Sequence, residues 1–407
     1  MSYHGSVISA QLVKMRALEA GFDLAGIAPL PPPENAELTR QWLEKGYAGE
    51  MRYLHNPVRE DPRQALSSAR TAVCVGLVYN TPAPYSTECE PKGTKEADNN
   101  PAARSSGEPA GPRAWISRYA WGHDYHRLMR DRLERFRQAI QTLAPDIEAR
   151  VYVDTGPVNE RALARLSGIG WMGKNTLIIN EGKGSWFFLG IVLTNLELAP
   201  DLPAPDRCGS CTRCLDACPT HALAAPYVMD ASRCLAYLTI ELKASIPEEF
   251  RRAVGLNVFG CDICQDVCPW NSRSPADFPE MSSRRRVAIT EIPEFHPLDI
   301  QPQGVDESSM VVPSAFSLFN PPIQDLTLIT PEDFRSAFKN SPIRRAKYLG
   351  WLRNLCVVVG NSRDRRFRPW LNRMLRHGDR LVVEHAAWGL RQLANSKPSG
   401  QTAPRSA

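Results

Sequence analysis

No run of about 18 apolar residues occurs anywhere in the 407-residue sequence, which excludes a helix crossing a bilayer on hydrophobicity alone. The first residues, MSYHGSVISAQLVKMRALEAGFDLAG, lack a basic start, an apolar block and a small-residue cleavage site, and they contain no twin arginine. A cytoplasmic location is therefore expected, with no membrane partner. Cysteine is scarce outside one stretch. Of eleven cysteines only Cys74, Cys89 and Cys356 fall outside 208–268, a distribution that excludes a disulfide framework and points to metal ligation. A working dinucleotide fingerprint is missing too. Gly168-x-Gly170-x-x-Gly173 has the right letters, but the strand-like TLII follows it where a helix should receive the phosphates. Electrons are thus expected from an external reduced carrier rather than from bound nicotinamide. Acidic residues are short in one region: residues 331–400 hold 15 Lys/Arg against 5 Asp/Glu, or +10 within a chain whose net charge is +5. Such a basic end suits a polyanion, nucleic acid ahead of membrane, or else a solvated helix face.

Periodicity divides the chain. In residues 1–199, helical spacing at Val7–Ala20, Ala36–Lys45, His123–Leu143 and Pro157–Leu166 alternates with strand candidates. The strands are Phe22–Ala28, Thr71–Tyr79, Glu148–Asp154, Thr176–Asn180 and Ser185–Asn195. This predicts a sheet-centred α/β domain with ligand groups on loops at strand ends. The stretch at about 81–113, rich in Pro, Gly, Ser and charge, reads as a disordered or surface insertion that exposes Cys89. Cys74 and Cys356 read as core residues. A cysteine module occupies 200–272, a proline-spaced connector 273–330, paired helices of HEAT-like texture 331–395, and a tail 396–407.

Cys208-x2-Cys211-x2-Cys214-x3-Cys218-Pro219 is the run that caps three iron corners of one cubane and sends its fourth thiolate to another. Cys261-x2-Cys264-x3-Cys268-Pro269 is one ligand short of the same pattern, and Cys234 supplies it. The swapped pairing predicts Cys208, Cys211, Cys214 and Cys268 on one 4Fe-4S cluster, with Cys218, Cys234, Cys261 and Cys264 on the other. Closed four-thiolate zinc is the alternative. A cluster pair acts on no substrate by itself, so the α/β domain must hold what receives the electrons.

Several stretches together resemble the epoxyqueuosine reductases. They are MRYLHNP (51–57), WGHDYHRLMR (121–130), VYVDTGPVNER (151–161), GWMGKNTLIIN (170–180), GSWFFLG (184–190), both cysteine blocks, AYLTIE (236–241) and SPIRRAKYLGWLRN (341–354). The resemblance covers nearly the whole chain and implies a monomeric tRNA-modifying oxidoreductase similar to corrinoid-dependent reductive dehalogenases. It would reduce epoxyqueuosine to queuosine at the anticodon wobble position, the last step of queuosine formation, using cobalamin fed by two 4Fe-4S clusters. It also implies Asp154 as proton donor, a carboxylate at a strand end that burial could tune. Helix capping ahead of Pro157 is the competing role for that side chain.

Asn175, Ile178, Ser185, Cys261 and Asp262, with Asp154, sit where the family packs its corrinoid, although a turn explains Asn175 and core packing Ile178. No Asp-x-His-x-x-Gly motif occurs, so base-off cob(II)alamin is expected; His123 and His126 read as packing or substrate contacts. Arg344, Arg345, Lys347 and Arg353, with Arg363, Arg365 and Arg366, would face the tRNA backbone. The rival readings are a reductive dehalogenase of small organohalides and a ferredoxin-like electron-transfer subunit.

Overall fold

The computed structural model describes residues 8–30, 37–89, 111–272, 287–302 and 315–395. The chain forms two compact units and passes between them several times. The first takes in the described residues up to 89, then Arg118–Cys234 and Asp262–His296; the second contains Leu235–Cys261 and the C-terminal helices. The sheet and most of the cysteine-rich segment therefore belong to the same unit, and the contiguous limits at 199 and 272 do not coincide with either one.

In the first unit, α1 (Ala10–Glu19), β1 (Leu24–Pro29), α2 (Glu37–Glu44), β2 (Thr71–Val78), α3 (Tyr125–Leu143), β3 (Ala149–Tyr152) and α4 (Glu160–Leu166) are followed by a small hairpin and a last long strand. The hairpin is β4 (Trp171–Met172) with β5 (Ile178–Ile179), and the strand is β6 (Phe187–Thr194). The sheet order is β1-β2-β6-β3, antiparallel at every pairing. Every residue of β2 is buried because both faces of the sheet are covered. Val73, Val75 and Leu77 point toward α1 and α3, joining Val13, Ala17, Met129, Leu133 and Phe136. Ala72, Cys74 and Val78 point the other way, toward Leu163, Ala164, Ile169 and Ile178. The period-2 alternation of a strand thus serves two separate cores.

Helix α3 starts where Asp124 accepts the His126 backbone N–H, and its apolar stripe Tyr125, Met129, Leu133, Phe136, Ile140 seats it on the sheet. Helix α4 starts at Glu160 rather than Pro157, and the side chain capping it is Asn159, not Asp154. The capping role weighed for Asp154 is thereby overturned. The insertion expectation also changes. Tyr85 and Ser86 are buried, a short helix spans Ser86–Cys89, and the Ser86 backbone N–H donates to Asp266 at 2.9 Å. Residues 81–89 are packed structure with Cys89 half-buried, and 90–110 lie outside the described residues.

The second unit is built on α6 (Lys347–Ser362), which follows α5 (Pro331–Ala337) and precedes α7 (Arg368–Met374) and α8 (Arg380–Ala394). Helix α6 is buried on all sides from Gly350 to Gly360. It packs on α8, where a Cβ on Gly389 would stand 2.8 Å from the Cys356 carbonyl oxygen. Cys74 and Cys356 are both fully buried, as core residues. No helix among the described residues is long and apolar enough to cross a membrane.

Candidate active site and iron–sulfur centre

Asp154 follows β3 and has φ +50°, a left-handed conformation that Asp tolerates better than most side chains. Its Oδ2 accepts the Tyr125 hydroxyl at 3.1 Å and lies 3.3 Å from His126 Nε2. His126 Nδ1 is 2.7 Å from Asp124 Oδ1, so one imidazole bridges two carboxylates. The Tyr125 ring is clamped between His126 and Phe188 of β6, stacking on the latter at 3.9 Å and 5°. Helix α3 and strand β6 thereby aim two proton-bearing side chains at one oxygen. Burial works against a charged His126, but hydrogen bonds to Asp124 and Asp154 outweigh it and push the imidazole up to about 9. The expectation that burial tunes Asp154 is not met. Its side chain is 55% exposed, and Tyr125 and His126 hold its Oδ2.

Glu160 completes the loop by accepting the Asp154 backbone N–H. Burial, with the charge of Asp154 beside it, pushes Glu160 up to about 8 against Arg59 and Arg161. Arg59 donates to the Gly156 carbonyl at 2.9 Å and Arg161 to that of Thr176 at 3.0 Å. His126, Tyr125 and Glu160 were not singled out by sequence as partners of Asp154. Glu160 lies within the same quoted stretch as Asp154, and the other two lie in the quoted stretch 121–130, 28–29 positions upstream.

The expected corrinoid contacts divide. Ile178 is 4% exposed in the core beneath the sheet. Asn175 donates to the Cys264 carbonyl at 3.2 Å, and the Ser185 hydroxyl accepts from Gln265 and Asn271 at 3.0 and 2.9 Å. Asp262 accepts the Arg118 backbone N–H at 2.7 Å. These side chains are engaged within the protein. The neighbouring Thr176 differs: its backbone is left-handed (φ +64°), and its hydroxyl is buried with no hydrogen-bond partner. An orphaned donor beside Asn175, joined through Arg161 to the Asp154 loop, fits an amide-rich ligand.

Cys208, Cys211, Cys214 and Cys268 line one cavity of about 500 Å³, together with Lys174, Asn175, Trp270 and the 207–214 loop. The swapped pairing predicts this set. Among the described residues no three His, Cys, Asp or Glu side chains close on a point that one metal ion would occupy. The four thiols instead surround a space, as a cubane requires of its ligands. Burial is the main cause pushing Cys214 up to about 11 and Cys268 up to about 12, with the neighbouring thiols adding to it. Cys218, Cys234 and Cys264 are half-buried in the same unit, and Cys261 is half-buried at the end of a second-unit segment.

A family model for a 4Fe-4S double cluster binding domain matches residues 207–271. A second, described as epoxyqueuosine reductase QueG, DUF1730, matches residues 59–155. An epoxyqueuosine reductase of Xanthomonas campestris pv. campestris is 36% identical over 388 residues, 94% of this chain and 96% of its own. The chain belongs to the epoxyqueuosine reductase family. A selenomethionine-labelled epoxyqueuosine reductase crystal structure shares the fold at a TM-score of 0.72 and 25% identity, covering 94% of this chain and 90% of its own. Another solved member, in complex with an epoxyqueuosine-modified tRNA-Tyr stem loop, has a TM-score of 0.65 at 24% identity, covering 94% and 98% of the two chains.

Among the cations expected to meet tRNA, Arg344, Arg345 and Lys347 are exposed around the turn Pro342–Ala346. Arg345 is bound bidentately to Glu241, and Arg366 pairs with Asp364. Arg353 is a correction. It is 1% exposed, and its guanidinium donates to the carbonyls of Leu238, Leu242 and Ala244 at 2.7–2.8 Å. It ties the AYLTIE segment to α6 and has no surface left to offer RNA.

Proposed function

We propose that this chain reduces epoxyqueuosine to queuosine at the tRNA wobble position, with Asp154 as the group that hands a proton to the substrate. One observation carries the reading. A single compact unit joins a four-thiol cavity to an exposed carboxylate held by two proton-bearing side chains.

Removing the epoxide oxygen takes two electrons and two protons, leaving an alkene and one water. Cys208, Cys211, Cys214 and Cys268 would hold one 4Fe-4S cluster and Cys218, Cys234, Cys261 and Cys264 the other, and such a pair would supply electrons one at a time from an external low-potential donor. Base-off cobalamin, when bound, supplies a low-potential cobalt centre able to reduce or attack carbon. Thr176, with the backbone of Asn175–Ile178, would hold it.

The chain's own residues manage the protons. Asp154 and His126 share one proton across their contact, and the exposed side of Asp154 presents it to the epoxide oxygen. Asp124 keeps the imidazole oriented, and Tyr125 steadies the carboxylate in each protonation state. Glu160 holds a further proton near neutrality and pins the Asp154 backbone. The HEAT-like helices α5–α8 present Arg344, Arg345 and Lys347 to the tRNA backbone, and the protein acts as a monomer.

Anaerobic protein should contain about eight irons per chain. Supplied with cobalamin and a strong reductant, it should convert epoxyqueuosine in tRNA to queuosine. Asp154→Asn, which tolerates the same left-handed backbone, should abolish turnover while iron content and cobalamin binding persist. Undiminished turnover by that variant would remove Asp154 from the chemistry.

A further inference from the structure

The glycine-rich stretch 168–175, which has no phosphate-binding helix behind it, is built into the cysteine cavity instead. Gly170 and Gly173 are glycines because the hairpin folds tightly on itself: a Cβ at Gly170 would stand 2.4 Å from the Ile179 carbonyl oxygen, and one at Gly173 2.5 Å from the Ile179 side chain. This closeness puts Trp171 edge-on against Trp270 at 4.7 Å, in one cluster with Cys268 and Cys208. Trp171 is 3% exposed, and its indole N–H reaches no acceptor within hydrogen-bonding distance. The Trp171 indole N–H and the Lys174 backbone N–H are both turned to the Cys208 sulfur and favour its anionic form. The Lys174 ammonium donates to the carbonyls of Gly209 and Cys211 at 2.6 and 3.0 Å, which fixes its charge inside the loop carrying three cavity thiols. A buried N–H without an acceptor costs about 1–3 kcal/mol, so a donor kept here calls for a partner that arrives with the cluster.

We propose that Trp171 and Lys174 tune the cluster held by Cys208, Cys211, Cys214 and Cys268, raising its reduction potential selectively over that of the second cluster. The inference rests on reading those four thiols as ligands of one 4Fe-4S cluster. Reduction adds one negative charge to the cluster. An N–H aimed at its sulfur and a fixed cation beside its loop both favour the charged state. The hairpin makes this cluster the one that fills first when the external donor delivers electrons. Trp171 and Lys174 are positioning residues; neither touches the substrate.

The test is a redox titration, followed by electron paramagnetic resonance, of full-length anaerobic protein carrying both clusters. Trp171→Phe keeps the aromatic packing and deletes the N–H. Lys174→Gln keeps a donor for the loop carbonyls and deletes the charge. Each should make one cluster harder to reduce, by roughly three- to tenfold in the reduction equilibrium, where tenfold is about 59 mV for one electron. The other cluster and the iron content should stay unchanged. Unshifted midpoints at full iron content, or equal shifts of both clusters, overturn the proposal. Should Trp171→Phe fail to load iron, the charge-only Lys174→Gln variant decides it. Unmodified protein holding far fewer than eight irons would instead remove the cluster reading beneath it.

Discussion

His126 shows how a side chain read from sequence as a packing or substrate contact becomes the partner of a carboxylate. Its imidazole bridges Asp124 and Asp154 and stays charged through neutrality, because two carboxylates outweigh its burial. A group raised from 6.5 to about 9 contributes its stabilisation fully below pH 6.5 and loses it as the pH rises through about 9. Turnover should therefore fall on an alkaline limb near pH 9. In His126→Gln that limb should disappear and kcat/KM should drop on the order of 10²-fold, the cost of a misplaced acid. An unchanged limb in the variant would assign it to another group. Asp154 could be picked out because the family resemblance runs through the stretch VYVDTGPVNER that contains it, at a strand's end. Its pairing with Tyr125 and His126 could not, since α3 meets the Asp154 loop only through packing and no local spacing encodes that. Arg353 is the opposite case. Sequence presents it as one more cation of a basic helix, while the fold buries it under three backbone carbonyls. Arg353→Ala should lower stability by about 3 kcal/mol or more, leaving those acceptors unpaired, with no specific effect on RNA affinity. A loss of tRNA binding at unchanged stability would return Arg353 to the surface role.

Elements defined by local chemistry were legible. The cysteine blocks were readable because three cubane ligands lie within seven residues of one another, and α8 falls inside the 331–395 stretch whose texture reads as paired helices. Strand ends were less so. The 176–180 candidate shrinks to Ile178–Ile179 because it pairs only within a tight hairpin. The turn Pro342–Ala346 is the element that leaves Arg344 and Lys347 in solvent, while Arg345 is already engaged by Glu241. The double charge reversal Arg344→Glu with Lys347→Glu should weaken tRNA binding and flatten its salt dependence. The log–log slope should become shallower by about 0.7 for each phosphate that is no longer neutralised. Binding measured from low to moderate salt checks this. An identical slope would leave these cations as a solvated face.

At the scale of the whole molecule, the sequence suggested contiguous modules, and the chain instead builds two units from interleaved segments. Burial explains why this was hidden. Residues 235–260 look like the continuation of an iron–sulfur module, yet Thr239 and Val258 give their carbonyls to Asn354 of α6. The same segment meets His385, which is fully buried. Its Nδ1 bonds the Leu381 carbonyl at 2.7 Å and its Nε2 accepts the Ile246 backbone N–H at 3.1 Å. A neutral ring satisfies both contacts, whereas a second proton would meet the Ile246 donor head-on. Burial, helped by the Arg251 and Arg353 cations, outweighs the Leu381 carbonyl and lowers the imidazole to about 4. The folded state thus resists a proton that the unfolded chain takes up near 6.5. Its stability is complete above that pH and declines as the pH falls toward 4, by roughly 3 kcal/mol. His385→Gln should be less stable at neutral pH but lose little more on acidification, so the two melting temperatures converge between pH 6.5 and 4. Parallel pH dependences would place the acid sensitivity elsewhere, and the contact between α8 and residues 235–260 would then be indifferent to protons.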